Sequence, residues 1–203
     1  MYYPSIKRLL DIIISSFTIV ILMPLFIIVF ICVKIDSSGP IFFIQKRVGK
    51  NLKTFQLFKF RTMTNEKRKV GESPIIGKAE GVTTIGFLLR RLKIDELPQL
   101  LNVLRGDMSL IGPRPSVEQQ LLYMTEIEKL RYAVSPGLTG LAQVCGNIHL
   151  PWKKRFVYDI DYVQNITFRN DLKIVLRTII IIFIGEDKFI DRPLHIKKKN
   201  ENS

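Results

Sequence analysis

The run LLDIIISSFTIVILMPLFIIVFICV, from Leu9 to Val33, decides how the remaining chain can be arranged. It is apolar except for Asp11 and a few Ser and Thr, with Lys7 and Arg8 before it and Lys34 after it. A straight helix over these 25 positions extends roughly 37 Å at about 1.5 Å per residue, enough to cross a hydrocarbon core of about 30 Å. Its length, and the lack of a small-x-small site after it, argue against a cleaved signal peptide, so the segment is expected to be retained. Pro24 removes a backbone donor and clashes with the preceding turn, which predicts a kink near the middle. A sharp bend returns both ends to one membrane face; a gentle one leaves a kinked span. Basic residues on both flanks favour the first arrangement, while proline is tolerated in spanning helices, so the residues alone leave both open.

A chain of 203 residues, 47% of them hydrophobic, holds one domain with a core besides this segment. The formal charge of +13 points to an anionic partner, whether nucleic acid, lipid headgroups or phosphorylated substrates. Charge by itself does not choose among them. Cys32 and Cys145 give no disulfide framework, and neither they nor His149 and His195 stand at metal-ligand spacing, which argues against a zinc site.

Past the turn signal Ser38-Gly39-Pro40, Ile41 to Ile44 reads as a short strand or a membrane-edge element. From Lys46 to Lys69, nine Lys or Arg accompany a single acid, Glu66, with Phe55, Leu57, Phe58 and Phe60 interleaved. This is either a solvated strand and loop with core aromatics, or a surface docking on anionic headgroups, where each cation contributes about 1 kcal/mol. Lys59-Phe60-Arg61 can also offer cations to a substrate phosphate. Glu72 to Val82 lacks an apolar period and reads as a loop able to act as a lid. Thr83 to Lys93 suits a short amphipathic helix carrying Arg90 and Arg91.

The stretch from Ile94 to Gly106, IDELPQLLNVLRG, holds the densest chemistry. Asp95 is placed to cap a helix that Gly106 ends, with Glu96 in the first turn and Pro98 tolerated only there. The positive helix end would keep Asp95 ionised and can hold a phosphate. Two adjacent carboxylates can share a divalent metal while Arg90 and Arg91 take a pyrophosphate. A plain cap followed by a dipole-favouring acid explains the same spacing. Arg114, between Pro113 and Pro115, is either a preorganised phosphate clamp or a solvated arginine on a structural turn.

Ser116 and Gln119 form a capping-box pattern that predicts a helix to about Arg131. Ser135 to Val144 reads as a loop and short strand closed by Gly146. Tyr158-Asp159-Ile160-Asp161-Tyr162 contains a D-x-D string, which holds metal in many nucleotide-sugar transferases, although residues two apart do not share a helix face. The last helix is expected from Asn170 or Asp171 to Ile184, packed in the core or lying in an interface plane, with a basic tail after it.

Several strings in order resemble the bacterial sugar transferase family, the small monotopic polyprenyl-phosphate phosphoglycosyl transferases. They are PIFFIQKRVG from Pro40, KFRTM from Lys59, DELPQL from Asp95, GDMSLIGPRP from Gly106 and PGLTGLAQV from Pro136. The resemblance covers nearly the whole chain. It implies an Asp95 nucleophile with Glu96 as its catalytic neighbour, Mg2+ held by Asp95 and Glu96, and Lys59, Arg90 and Arg114 as phosphate-binding residues. The implied reaction moves a sugar 1-phosphate from a UDP-sugar to polyprenyl (undecaprenyl) phosphate and releases UMP through a phosphosugar-aspartyl intermediate. That step initiates surface glycan or glycoprotein glycan assembly.

The implied fold is α/β, a compact membrane-associated catalytic domain with an N-terminal re-entrant membrane helix and interfacial amphipathic helices. Residues 1–36 would form the membrane helix, 37–190 the cytoplasmic transferase domain and 191–203 a basic, disordered tail. The implied location is the cytoplasmic face of the inner membrane, with phospholipid as a partner and nucleic acid not. Met23 stands where the family often has Ser before the membrane proline, which bears on the depth and angle of the hairpin. Leu141 stands where it often has Trp, which bears on packing or substrate contacts. No further multi-span region precedes the apolar run, as in the minimal form of the family.

Two competing readings remain. A metal-dependent glycosyltransferase built on Asp159 and Asp161 would transfer the sugar alone and release UDP. A non-enzymatic, basic, membrane-tethered binding protein rests on charge alone, and no recognised nucleic-acid-binding signature accompanies it.

Overall fold

The computed structural model describes residues 2–64, 81–190 and 192–196. Two helices open it, α1 (Tyr2–Ile21) and α2 (Met23–Asp36), bent by 62° about Leu22. Pro24 sits in the first turn of α2, where a missing N–H leaves no bond unmade, and its ring blocks continuation of α1. The break therefore falls just before the proline. Among the described residues no single helix is long and apolar enough to cross a membrane, while the bent pair together is.

Both flanks of this pair are tied to the same body. At the α2 end, Arg61 donates to the carbonyls of Val33, Ser37 and Ser38 at 3.4, 2.6 and 2.9 Å. Asp36 accepts from the Ile85 amide at 2.9 Å, placing a carboxylate at the start of α3 (Thr84–Arg91). At the α1 end, Arg8 donates to Val103 and Leu104 at 2.6 and 3.0 Å, near the C-terminus of α4 (Gln99–Arg105). Lys7 pairs with Asp171 at 2.8 Å, and buried Asp11 accepts from the Leu110 amide at 3.0 Å. Between these tethers Ile13, Phe17, Val20, Ile27, Ile28 and Ile31 are exposed. Arg61, grouped with Lys59 as a phosphate ligand from sequence, is thus buried and spent on helix-end carbonyls.

The basic and aromatic stretch folds into a hairpin, β1 (Phe42–Val48) antiparallel to β2 (Thr54–Phe60). Its Leu57 and Phe60 enter core clusters, with Phe60 against Val29, Val33 and Leu89. Asn102 of α4 is fully buried and works as a strand surrogate, accepting from the Phe58 amide at 3.1 Å and donating to the Gln56 carbonyl at 2.7 Å. This fixes α4 against β2. A second sheet pairs β3 (Ser109–Ile111) in parallel with β4 (Gly137–Thr139). Among the described residues the body is therefore a mixed, mainly helical unit with two two-stranded sheets, poorer in strand than a layered α/β fold.

The expected helix from Ser116 to Arg131 is instead a 3-10 turn (Glu118–Tyr123), a short α5 (Glu126–Lys129) and a further 3-10 turn (Leu130–Ala133). The Ser116 hydroxyl bonds the Tyr132 hydroxyl rather than capping, and the capping box belongs to Thr125 and Glu128. Helices α6 (Leu141–Val144), α7 (Trp152–Gln164) and α8 (Phe168–Ile184) enclose the largest core, formed by Ile111, Leu141, Val144, Leu150, Tyr162, Ile174 and Ile181 among others. Leu141 is a core residue with 1% exposure, which settles its role as packing. Helix α8 starts slightly earlier than expected because Thr167 caps it through the Asn170 amide. It buries Ile174 and Ile181 while leaving Phe168, Leu172, Leu176, Ile179 and Phe183 exposed at helical spacing. Leu194 and Ile196 pack on the same core, so the chain beyond 191 begins as part of the body. Most of the expected lid, up to residue 80, and Lys197 to Lys199 of the expected tail lie outside the described residues.

Gly112 and Gly137 cross where the two short strands meet. A Cβ on Gly137 would lie 2.0 Å from the Gly112 nitrogen, and rigid backbone cannot yield that far. Gly137→Ala is accordingly predicted to destabilise the fold by about 3 kcal/mol or more, read as a lowered Tm of the purified protein; an unchanged Tm would show that the crossing relaxes.

Candidate active site

Lys93 adopts a left-handed backbone (φ 58°) after α3 and turns the chain into a 3-10 turn, Ile94–Glu96. The Glu96 and Leu97 amides bond back to the carbonyls of Lys93 and Ile94, and Pro98, with no N–H, interrupts the ladder before α4 begins at Gln99. Asp95 is therefore not a helix cap, contrary to the sequence expectation. The turn instead sets Glu96 against Lys59 of β2 and against Arg114 of the Pro113-Arg114-Pro115 turn, with Asp95 beside it.

Glu96 is the centre of charge pairing there. Its Oε1 accepts from Lys59 Nζ at 2.5 Å and from Arg114 Nη2 at 2.6 Å, and its Oε2 accepts from Arg114 Nη1 at 3.4 Å. The Glu96 side chain is 14% exposed and that of Lys59 17%. Burial would raise the Glu96 carboxyl, but Arg114 and Lys59 outweigh it and hold it well below the usual carboxylate range. Burial lowers the Lys59 ammonium despite this partner, whereas Glu96 raises Arg114 further.

Asp95 is the opposite case. Among the described residues its carboxylate accepts no hydrogen bond and forms no ion pair, although it is only 8% exposed. Burial, then the neighbouring Glu96 charge, push it up to about 6 against the pull of Lys59, Arg114 and Arg90. At neutral pH it is an ionised, desolvated and uncommitted carboxylate, the state in which an oxygen is most nucleophilic. Low solvation, rather than a helix dipole, tunes it.

Asp95, Glu96, Lys59 and Arg114 thus come together, with Arg90 in the last turn of α3 acting on Asp95 through its charge. Arg91 is exposed. Sequence reasoning missed Arg47, whose guanidinium bonds Gln45 at 2.6 Å and is lowered to about 10 by burial and by Arg114. Two guanidiniums that repel each other beside a pocket are relieved when an anion enters. Also missed was Glu186, which accepts from Lys93 at 3.0 Å and Asn147 at 2.8 Å. It holds both of these residues, which share the uncommon left-handed backbone. Nothing in the sequence spacing links positions 93, 147 and 186.

The D-x-D string divides. Asp159 is buried in an ion pair with Arg131 at 2.7 Å, and Asp161 accepts from its own helix neighbour Asn165 at 2.9 Å. Among the described residues no three His, Cys, Asp or Glu converge as a metal cage. Mg2+, however, is commonly held by one or two carboxylates together with substrate phosphates and water, and the unpartnered Asp95 beside Glu96 fits that donor set.

A buried carboxylate with no bond among the described residues, set beside Lys59, Arg114 and Arg90, is an arrangement suited to a phosphorylated substrate. Residues 2–185 match the family model described as bacterial sugar transferase. The chain is 40% identical over 181 residues to the uncharacterized sugar transferase EpsL of Bacillus subtilis, covering 89% of each chain. It is 41% identical over 186 residues to a UDP-glucose:undecaprenyl-phosphate glucose-1-phosphate transferase of Caulobacter vibrioides, covering 85% of this chain and 68% of that one. It is 35% identical over 204 residues to the exopolysaccharide production protein ExoY of Sinorhizobium fredii, covering 90% of this chain and 88% of that one. The chain belongs to the bacterial sugar transferase family, and it is an enzyme of the sugar-phosphate transferase class.

A carboxyl raised in the folded state stabilises the fold while protonated, below its unfolded pKa, and loses that contribution as pH rises through about 6. Asp95→Asn is therefore predicted to raise the Tm at pH 8, with the difference from wild type closing toward pH 4. A gap that widens on acidification would show Asp95 to be a stabilising, paired carboxylate.

Proposed function

We propose that the protein transfers a sugar 1-phosphate from a UDP-sugar to polyprenyl (undecaprenyl) phosphate, releasing UMP, as the initiating step of surface or glycoprotein glycan assembly. The observation that carries this reading is the contrast, among the described residues, between the two adjacent acids, Glu96 held by two cations and Asp95 held by none. In the first step an Asp95 oxygen attacks the sugar-linked phosphorus, the pyrophosphate P–O bond breaks, and UMP leaves with the electron pair. In the second, a polyprenyl phosphate oxygen attacks the resulting acyl phosphate and frees the Asp95 carboxylate. Arg114, Lys59, Arg90 and Arg47 neutralise the phosphate oxygens, and Glu96 keeps Arg114 and Lys59 in place before substrate arrives. Mg2+ at Asp95 and Glu96 would supply the positive charge that lets a carboxylate approach a diphosphate.

The reaction site would lie at the cytoplasmic face of the inner membrane, with the bent α1–α2 pair entering the bilayer and returning. Support comes from the two tethers: Arg8 at one end and Asp36 at the other bind the same body, which a span separating the flanks would not allow. The exposed apolar side of α8 suits the lipid interface. The alternative chemistry, with UDP as product, finds no support in Asp159, whose charge is already paired with Arg131.

Enzyme mixed with UDP-sugar but no lipid acceptor should release about one UMP per site and gain one phosphosugar on the peptide containing Asp95. Asp95→Asn should abolish both. The burst rate should fall as pH drops below about 6, where Asp95 becomes protonated. Release of UDP, or rapid turnover with no adduct, would overturn the covalent scheme. Excess chelator should stop turnover and Mg2+ restore it; full activity in chelator removes the metal.

Single cysteines at positions 5 and 37, with Cys32 and Cys145 replaced by Ser, should resist an impermeant maleimide in intact cells and react after lysis. Labelling of position 5 alone from outside would establish a span.

A further inference from the structure

The D-x-D helix still has a part to play. Asp159 and Arg131 are 1% and 4% exposed, and the Arg131 Nη2 that pairs with Asp159 at 2.7 Å also donates to the Arg114 main-chain carbonyl at 2.7 Å. The Arg131 guanidinium lies 5.3 Å from the Tyr132 ring centre and 5.2 Å from that of Phe156, so aromatic faces fix its plane. Tyr132 in turn bonds Ser116, two residues past Arg114. Arg114 and Arg131 line one crevice together with Pro113, Pro115 and Tyr132.

Stability does not explain this pair. A buried ion pair gains little over an apolar pair of similar volume, and here Arg131 Nε and Nη1 and Asp159 Oδ1 have no hydrogen-bond partner among the described residues. Such an arrangement costs free energy and fixes geometry. The element whose geometry it fixes is the peptide that bears Arg114.

We propose that Arg131 and Asp159 form a positioning unit for the substrate-phosphate clamp: Asp159 orients Arg131, and Arg131 anchors the Arg114 carbonyl so that its side chain meets the donor diphosphate. The proposal rests on the clamp role given to Arg114 above. Neither residue touches substrate. Their loss should therefore weaken capture of the diphosphate while leaving the Asp95 chemistry intact once the site is filled.

The test uses the full chain with the double substitution R131M and D159L, which removes both charges and keeps side-chain bulk. The Tm, the Kd for UDP by calorimetry, KM and kcat for UMP release, and the burst amplitude are measured. The expected result is a Tm close to wild type, a Kd and a KM raised about tenfold or more, and an unchanged burst amplitude at saturating UDP-sugar. A folded variant with wild-type Kd and KM overturns the proposal. Should the double variant fail to fold, R131K decides in its place, because a single ammonium cannot reproduce the fixed fork; a raised KM supports the unit and an unchanged one refutes it. If wild-type protein binds UDP but releases no UMP, the proposed reaction fails, and the UDP titrations still judge the positioning. If wild type does not bind UDP, both fall.

Discussion

The site depends on the Glu96 carboxylate accepting from Lys59 and Arg114 together. Lys59 arrives on β2, Arg114 on the turn after β3, and Glu96 on the turn before α4, so one carboxylate joins three segments distant in sequence. Removing Glu96 would leave the half-buried Arg114 and the more deeply buried Lys59 without their shared partner, whereas removing either cation leaves the acid with one partner. The pairing is also what makes the neighbouring Asp95 useful. Cations committed to Glu96 lower Asp95 only through space, so burial prevails and the Asp95 oxygens stay without a bond among the described residues.

Around this centre the packing is arranged to resist rotation of its parts. Asn102 locks α4 to β2 through backbone bonds on both sides, which fixes the distance between Lys59 and the acid turn. The Gly112 and Gly137 crossing brings the Arg114 turn against the β4 strand, where the Gly137 amide donates to the Pro113 carbonyl at 2.9 Å. The apolar α1–α2 pair is held by polar contacts at its ends and by Val29 and Val33 of α2 packing on Phe60 and Leu89, while much of its remaining apolar surface is exposed. Arg8 and Arg61 both satisfy carbonyls that helix termini leave without partners. The same two arginines link the exposed apolar pair to the body that carries the candidate site, so one scaffold holds both.

Much of this was legible in the sequence, and the failures have physical causes. Pro24 announced the break, Thr83 and Gly106 the boundaries of α3 and α4, and the strings around Asp95 and Arg114 the two halves of the site. The supposed cap at Asp95 failed because Pro98 interrupts the amide ladder and Lys93 takes a left-handed turn, and a long side chain at that φ is not foreseeable from propensity. The helix after Ser116 failed because a tertiary bond to Tyr132 captured the hydroxyl that would have capped it. Arg47 was visible as one cation among nine, with nothing local to separate it from its neighbours. Long-range partners such as Glu186 with Lys93 leave no trace in spacing.

Under the proposed reaction, the division between Asp95 and Glu96 also bears on why two acids stand side by side when only one attacks. A lone buried carboxylate amid Lys59, Arg114 and Arg90 would be drawn into an ion pair and lose nucleophilicity. With Glu96 present the cations have a better partner, and the second charge raises Asp95 instead of quenching it. The cost is a desolvated, unpaired charge at neutral pH, which subtracts from stability in the folded state. In that reaction an incoming diphosphate would change the balance, since its oxygens would compete with Glu96 for Arg114 and Lys59 and approach Asp95 at the same time. In the proposed reaction the acid pair therefore divides the labour by environment: Glu96 organises the cations, and Asp95 keeps the reactive electron pair.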